Sequence, residues 1–232
     1  MFDSLTPAEW DAIRLSLRVA TVAALASLPI GIAVAYLLAR VRFPGRALVD
    51  AFVHLPLVIP PVVTGDLLLL TFGRRGPIGS WLDSTFGIVL AFNWTGAALA
   101  CAIMGFPLMV RAIRLSLEAI DTRLEAAAST LGAGRWVVFL TVTLPLALPG
   151  IVAGLVLSFA RALGEFGATI TFVGNIPNVT QTIPSAIYTY TQVPGGDIPA
   201  LRLTAISVVI AFLALLFSET LARRATRRIL GQ

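Results

Sequence analysis

The stretch "TRLEAAASTLGAGRWVVFLTVTLP", residues 122–145, joins a short, partly polar segment to a long apolar run. Thr122 and Glu125 have the spacing of a capping box, in which two side chains satisfy backbone N–H groups at a helix start. A short helix is therefore predicted to begin at Thr122 and to end at Gly132, because glycine readily takes the left-handed conformation that terminates helices. Small side chains at 126–129 would let the surface of another protein approach closely. We expect an amphipathic surface helix that a soluble partner contacts.

The composition is that of a membrane protein. Hydrophobic residues make up 57% of the 232 residues, charged residues make up 12%, and the mean hydropathy is +0.90. The net charge of +5 does not indicate nucleic-acid binding, because the arginines lie in short gaps between apolar runs and form no polar face. All 17 basic residues are arginines. Without the lysine of a nucleotide-binding P-loop, the chain is not itself expected to be a P-loop ATPase.

Apolar runs predict five transmembrane helices. A helix needs about 20 apolar residues to cross the hydrocarbon core, and three charge-free runs exceed that length. A fourth run contains Asp50, His54 and Asp66 and is interpreted as a broken span with polar content. A fifth run is shorter but extends into apolar residues at both ends. We predict an all-α, polytopic integral membrane protein with a single transmembrane domain over 1–232. The runs are 19–39, 47–72, 84–110, 136–160 and 203–218.

Two segments outside these runs also carry structural signals. Thr6, Pro7 and Glu9 have the order of a helix N-cap, first position and capping-box partner. The segment that they begin is expected to lie at the outer membrane interface before the first span. Residues 172–199 are polar and rich in turn formers, which predicts an outer loop with a short helix around 184–191.

The distribution of arginine predicts the orientation. Cytoplasmic loops of membrane proteins carry an excess of basic residues. With the N-terminus outside, eleven of the 17 arginines fall on the inner side, in 40–46, 111–135 and 223–228. We therefore expect a periplasmic N-terminus and a cytoplasmic C-terminus, which places the 122–145 stretch in the cytoplasm.

The pattern Ala127-Ala128-x3-Gly132-x9-Val142-x-Leu144-Pro145 resembles the cytoplasmic "EAA" loop of bacterial ABC import permeases. In that family, the short helix of the loop docks into a cleft on the ATPase subunit. The glutamate sits one place early in this chain, at Glu125, and this departure leaves the role of its carboxylate open.

Three further segments extend the resemblance over most of the chain. "LPLVIPPVVTG" (55–65), "LGEFGATITFVGNIPNVTQTIPSAIYT" (163–189) and "PGGD" (194–197) are similar to the permease of the molybdate-type importer. Sulfate and thiosulfate permeases are near relatives, and tungstate is chemically very similar to molybdate. The sequence therefore favours molybdate as cargo and leaves these other oxyanions open.

The resemblance implies a type I, MetI-like ABC permease fold with a cytoplasmic coupling loop at 111–136. It also implies a homodimer in the inner membrane, two separate ABC ATPase subunits and a periplasmic molybdate-binding protein. ATP binding would draw the two coupling helices together and turn the path outward, and hydrolysis would reset it. The chain would then be a transport subunit rather than an enzyme, and no cofactor or metal is expected.

Asp66, Arg161 and Glu165 are the candidates for the translocation path or its gate. Arg161 and Glu165 are one helical turn apart, and burying either charge alone is costly. They are expected either to border the anion path or to form a mutual ion pair within their helix. Asp66, which follows Thr64-Gly65, is expected either near the gate or in a structural hydrogen bond.

An intramembrane enzyme is the alternative class of function. His54 is the only histidine, which excludes an HExxH zinc site. Ser158 has no flanking glycines of a nucleophile elbow. We expect His54 to be a packed, hydrogen-bonded residue rather than a ligand.

Overall fold

A computed structural model describes residues 5–230, with side chains in the last helix described through 217 and at Thr220. Every regular element in this part of the chain is helical. The side chains of 223–228, used above to predict orientation, lie outside the described residues. In chain order the elements are α1 (Pro7–Arg40), α2 (Arg46–Val58), α3 (Pro61–Phe72), α4 (Pro77–Phe86), α5 (Trp94–Glu118), α6 (Thr122–Thr130), α7 (Arg135–Val138), a π-helical turn (Phe139–Thr143), α8 (Leu144–Leu163), α9 (Gly167–Val173), α10 (Ile183–Thr191) and α11 (Asp197–Leu230).

The first helix begins with the predicted capping box. Thr6 Oγ1 accepts the N–H of Glu9 at 3.3 Å, and Glu9 Oε2 accepts the N–H of Thr6 at 2.7 Å. The capped segment and the first span are one helix, because α1 runs unbroken to Arg40 over 34 residues. The location of its first turns at the outer membrane interface stays a prediction. At 1.5 Å per residue this helix is about 51 Å long, whereas the hydrocarbon core is about 30 Å thick. Its outer turns therefore extend beyond the apolar layer.

The second predicted span is a broken helix, as its prolines indicated. α2 and α3 meet at a bend of 111° around Pro60. Proline lacks the N–H that would continue the helical ladder, and Pro61 is well suited to the first position of the new helix. Among the described residues, four helices are long and apolar enough to cross a membrane, and the bent pair makes a fifth span if it is counted as one.

The third span begins later than the sequence predicts. The charge-free run starts at Ser84, but that residue lies in α4, which ends at Gly87 in the left-handed conformation. The chain then passes through an apolar, non-helical segment to Asn93, which caps α5. The absence of charge identified an apolar segment here, but not where the spanning helix starts.

The fourth span contains a π-helical turn that ends two residues before Pro145, the first of its two prolines. α7, the π turn and α8 form one 29-residue spanning unit from Arg135 to Leu163. Pro145 cannot donate a backbone hydrogen bond, and a π turn is one of the recognised ways in which a helix accommodates such an irregularity. The short helix expected around 184–191 is also present, as α10.

Small residues let α5 and α8 approach closely. Gly150, Gly154 and Ser158 recur every fourth residue of α8 and are buried. A Cβ added at Gly154 would lie 2.9 Å from the carbonyl oxygen of Met109, and one added at Gly105 would lie 2.5 Å from Ser158 Oγ. Such small-residue stripes are typical of helix pairs in membranes, where close packing holds helices together. The core therefore forms around α1, α5 and α8.

The N-terminal parts of α1, α10 and α11 are held together by polar contacts. Arg202 donates from Nη2 to Glu9 Oε2 at 3.1 Å, and its Nε lies 3.0 Å from Glu9 Oε1. Ser16 Oγ accepts the N–H of Ile183 at 2.7 Å. Glu9 is fully buried, so its pairing with an arginine satisfies a charge that would otherwise be costly.

Candidate functional site

The predicted surface helix is present as α6, but its cap differs from the prediction. Asp121 is the N-cap, and its Oδ1 accepts the N–H of Arg123 at 2.9 Å. The predicted capping box between Thr122 and Glu125 is therefore wrong, and the Glu125 carboxylate is used elsewhere. The predicted helix end is confirmed, because Gly132 has φ = +87°. The N–H of Ala133 bonds back to the carbonyl of Ala128 at 3.3 Å, as in a Schellman motif.

α6 has an open face and a face turned toward its own chain. Ala127 is exposed, and Leu124 and Leu131 expose 50% and 89% of their surface. Glu125 and Ala128, three residues apart and hence on one side of the helix, are half-buried. Of the two alanines in the pattern, only Ala127 thus lies on the open face. Leu124, Ala127 and Leu131 thus form the apolar side of α6 that its own chain leaves uncovered.

The Glu125 carboxylate connects α6 to the membrane-spanning helices. Its Oε1 lies 3.2 Å from Nη2 of Arg40, the last residue of α1. The same oxygen accepts a hydrogen bond from Thr143 Oγ1 at 2.8 Å. Arg40 Nη2 also donates to the carbonyl oxygen of Ile120 at 3.3 Å. Sequence reasoning missed Arg40 and Thr143, because neither lies near Glu125 along the chain.

The remaining residues of the loop pattern lie at the start of α8. Val142 belongs to the π turn and is half-buried, and Pro145 is exposed. Leu144 begins α8 and packs against the cluster of buried residues that includes Leu38 and Met109. The pattern thus spans two structural parts, a surface helix and the junction of the π turn with α8 inside the fourth spanning unit. The Glu125–Thr143 hydrogen bond joins these two parts.

A second polar cluster lies between the start of α2 and the end of α5. Arg114 Nη1 is 2.9 Å from Asp50 Oδ1, and Arg114 Nε donates to Glu118 Oε1 at 2.8 Å. Arg46 Nη2 lies 3.8 Å from Glu118 Oε1. His54 Nδ1 lies 2.9 Å from the carbonyl oxygen of Asp50, so this histidine is hydrogen-bonded within its own helix. Asp50, His54, Arg114 and Glu118 border an open pocket of about 270 Å³.

Arg161 and Glu165 form the ion pair that their spacing allows. Arg161 Nη1 lies 2.7 Å from Glu165 Oε2, and the Glu165 side chain is 1% exposed. Its Oε1 accepts the N–H of Ala168 at 2.8 Å, so the same carboxylate supports the first turn of α9. The pair therefore holds the end of α8 and the start of α9 together, whether or not an anion passes nearby.

Asp66 lies on α3 and does not join this pair. Its side chain is exposed, and no hydrogen bond or ion pair links it to another residue in the described part of the chain. Its neighbour Gly65 packs directly on α9, where an added Cβ would lie 2.9 Å from Ala168 Cα. Asp66 is thus close to the helix that Glu165 supports, but its carboxylate points away from the packed core.

A larger cleft between α1, α2, α3 and α5 is almost entirely apolar. It has a volume of about 680 Å³, and its only polar lining side chains are Ser27, Thr64 and Thr95. None of its lining residues carries a charge. The cleft therefore offers an oxyanion three hydroxyl donors and no positive charge, and charge-assisted hydrogen bonds are the stronger kind.

Comparisons with known proteins agree with this architecture. Residues 27–227 match the family described as "Binding-protein-dependent transport system inner membrane component". The chain is 62% identical to the molybdenum transport system permease protein ModB of Escherichia coli K12, over 97% of this chain and 98% of that protein. It is 55% identical to the ModB protein of Haemophilus influenzae, over 97% of each. It is 40% identical to the sulfate transport system permease protein CysT of E. coli K12, over 95% of this chain and 79% of that protein.

Solved structures of transporters share the fold. A bacterial ABC transporter that imports the acidic polysaccharide alginate superposes with a TM-score of 0.75 at 21% identity, over 95% of this chain and 80% of that one. The inward-facing MetNI methionine ABC transporter gives a TM-score of 0.71 at 19% identity, over 93% of this chain and 95% of that one. At these identities, the likeness concerns the fold alone, which is the MetI-like permease fold expected from the sequence.

Proposed function

Because the chain belongs to the binding-protein-dependent transport system inner membrane component family, we propose that it is the membrane subunit of an ATP-driven importer of molybdate. The observation that carries the choice of cargo is the 62% identity to a molybdenum permease, against 40% to a sulfate permease. As a permease, the chain is a transport component of the inner membrane and not an enzyme. ATP hydrolysis belongs to separate ATPase subunits.

A homodimer is part of this proposal. Five spans are too few to enclose an oxyanion path comfortably, so a second copy would supply the other half of it. Asp66 supports this arrangement, since it is exposed on the apolar helix α3, and an ionisable side chain in a span faces protein or water rather than lipid. The face of α3 that carries Asp66 is therefore proposed to meet the second copy or a wet path between the copies.

The open face of α6 is proposed to dock on the ATPase. It presents Leu124, Ala127 and Leu131 to the surroundings, and the small Ala127 side chain permits close approach. The proposed orientation has the N-terminus in the periplasm and the C-terminus in the cytoplasm, in accord with the arginine distribution. This orientation places the 111–136 coupling loop on the side where ATP is available.

Arg161 and Glu165 are proposed to border the anion path without binding the anion tightly. Glu165 already neutralises Arg161 at 2.7 Å, so little net charge remains to attract or trap an oxyanion. A conduit benefits from weak binding, because a tight site would retain the ion. Selectivity is therefore assigned mainly to the periplasmic molybdate-binding protein, which would deliver its cargo to the outer face.

Uptake by the purified complex tests this function. Vesicles would contain the permease and its ATPase, with the binding protein added outside. We expect ATP-dependent molybdate accumulation that tungstate inhibits and that a tenfold excess of sulfate leaves nearly unchanged. A complex with a hydrolysis-deficient ATPase variant is the control. Equal competition by sulfate would favour the sulfate permease alternative, and uptake without the binding protein would contradict the proposal.

A further inference from the structure

The surface helix α6 has little apolar packing to fix its orientation. None of its residues is buried, although it is tethered at both ends. A nine-residue helix is only marginally stable by itself in water. Specific polar contacts must therefore decide which side of α6 faces the membrane-spanning helices.

The Glu125 carboxylate is the contact that can do so. It joins α6 to the end of α1 through Arg40 and to the start of α8 through Thr143. The Arg40 and Glu125 side chains are only 14% and 22% exposed, and Thr143 is 2% exposed. Ion pairs and charge-assisted hydrogen bonds in such partly dry surroundings are stronger and less screened by salt than exposed ones.

The side of α6 on which Glu125 lies also accounts for its place in the sequence, one residue earlier than the glutamate of the family's loop pattern. Glu125 and Ala128 share the face turned toward the chain, whereas Leu124, Ala127 and Leu131 are exposed. A carboxylate engaged by Arg40 and Thr143 is not available to a partner protein. Its chemistry is therefore directed inward, toward the spans.

We infer that Glu125 is a positioning residue, which with Arg40 and Thr143 forms a brace that makes α6 move as one body with α1 and α8. The inference rests on the proposed docking of α6 on the ATPase. Displacement of α6 by the ATPase would then be transmitted to two spanning helices at once. Without the brace, α6 would still offer its open face for docking, but it would rotate or tilt before it moved the spans.

The brace is tested directly in the permease without its ATPase. Spin labels at Arg42→Cys, just after α1, and Thr130→Cys, at the end of α6, are introduced in a Cys101→Ser background. Pulsed electron paramagnetic resonance should give a narrow distance distribution in the parent protein. Glu125→Ala should broaden it, whereas Arg123→Ala, which removes an exposed charge from the same helix, should not. An unchanged distribution in Glu125→Ala would overturn the inference.

Coupling is measured in the complete transporter. In Glu125→Ala and Arg40→Ala we expect the ATPase to remain bound and molybdate uptake per ATP hydrolysed to fall by roughly tenfold, the scale set by loss of one charged hydrogen bond. The exchange Arg40→Glu with Glu125→Arg should recover at least part of this loss, which would show that the contact between the two side chains, rather than either side chain alone, supports coupling. Uptake per ATP at the parent value in both single variants would overturn the inference.

Three further variants separate the inference from the proposed function and from simple misfolding. If Ala127→Trp retains both the ATPase and full uptake, the proposed docking of α6 fails, while the label distances still report on the brace. If Glu125→Ala does not assemble, the label distances and the uptake per ATP are measured instead in Thr143→Val and Glu125→Gln, which change the shape of the side chain less. Failure of those two variants to assemble would assign these residues a folding role and overturn the inference.

Discussion

Removing either partner of the Arg161–Glu165 pair should have unequal effects. Arg161→Ala leaves a carboxylate whose side chain is 1% exposed without its counter-ion, whereas Glu165→Ala leaves an arginine that is 27% exposed and reaches water more easily. Breaking a fully buried pair costs about 3–5 kcal/mol, and we assign Arg161→Ala to that range. For Glu165→Ala we expect about 1–3 kcal/mol, mostly from the Ala168 N–H that loses its acceptor.

The double variant Arg161→Ala with Glu165→Gln should recover most of the loss. It contains no unpaired charge, and the glutamine can still accept the hydrogen bond from Ala168 N–H. The variants are ranked by the thermal stability of the detergent-purified permease, with size-exclusion chromatography used to measure how much folded protein remains after heating. The reasoning predicts that Arg161→Ala is the least stable, Glu165→Ala is intermediate and the double variant is close to the parent.

Two results would refute this account. Equal stability of the two single variants would show that burial does not set the cost, and a double variant as unstable as Arg161→Ala would show that the pair is not the relevant unit. Molybdate uptake by the double variant tests whether Arg161 and Glu165 also border the anion path. A double variant that assembles but transports poorly would support a role for Arg161 in attracting the anion, whereas normal uptake would remove both residues from the pathway.

Three other predictions concern backbone geometry, packing and topology. Gly132→Val should insert and assemble but lose bound ATPase in a co-purification assay, because a β-branched residue in the left-handed conformation costs about 1–2 kcal/mol. Gly134→Val is the control, since Gly134 has φ of −65° and no atom lies near an added Cβ. Retention of the ATPase by both variants would contradict the prediction. Gly154→Ala should lower the melting temperature of the permease, since its Cβ would lie 2.9 Å from a carbonyl oxygen of α5 and overpacking costs about 1–3 kcal/mol. Gly134→Ala is the control and should leave the melting temperature unchanged. Equal melting temperatures of the two variants would argue against close α5–α8 packing. Cysteines replacing Thr130 and Thr191 in a Cys101→Ser background should react with an impermeant maleimide from opposite sides of the membrane, and labelling of both from one side would exclude the proposed topology.

Features that depend on a few adjacent residues or on solvent alone could be predicted from the sequence. The bilayer offers no hydrogen bonds to the backbone, so long apolar runs must become helices whatever they pack against. The Thr6–Glu9 capping box, the break at Pro60 and the left-handed Gly132 are equally local, because each follows from the geometry of a few residues. The family was likewise visible in the spacing of the loop pattern.

The tertiary structure decided the contacts that join distant segments. Glu125 has two partners from other parts of the chain, Arg40 and Thr143, and no periodicity in the sequence connects the three. The start of α5 was also beyond sequence reasoning, because the apolar segment before Asn93 lacks charge without being helical. A carboxylate near a helix start can cap its own backbone or pair with a distant arginine at similar local cost. Only the tertiary fold brings Arg40, at the end of α1, and Thr143, at the end of the π turn before α8, within reach of Glu125, and their proximity directs Glu125 inward.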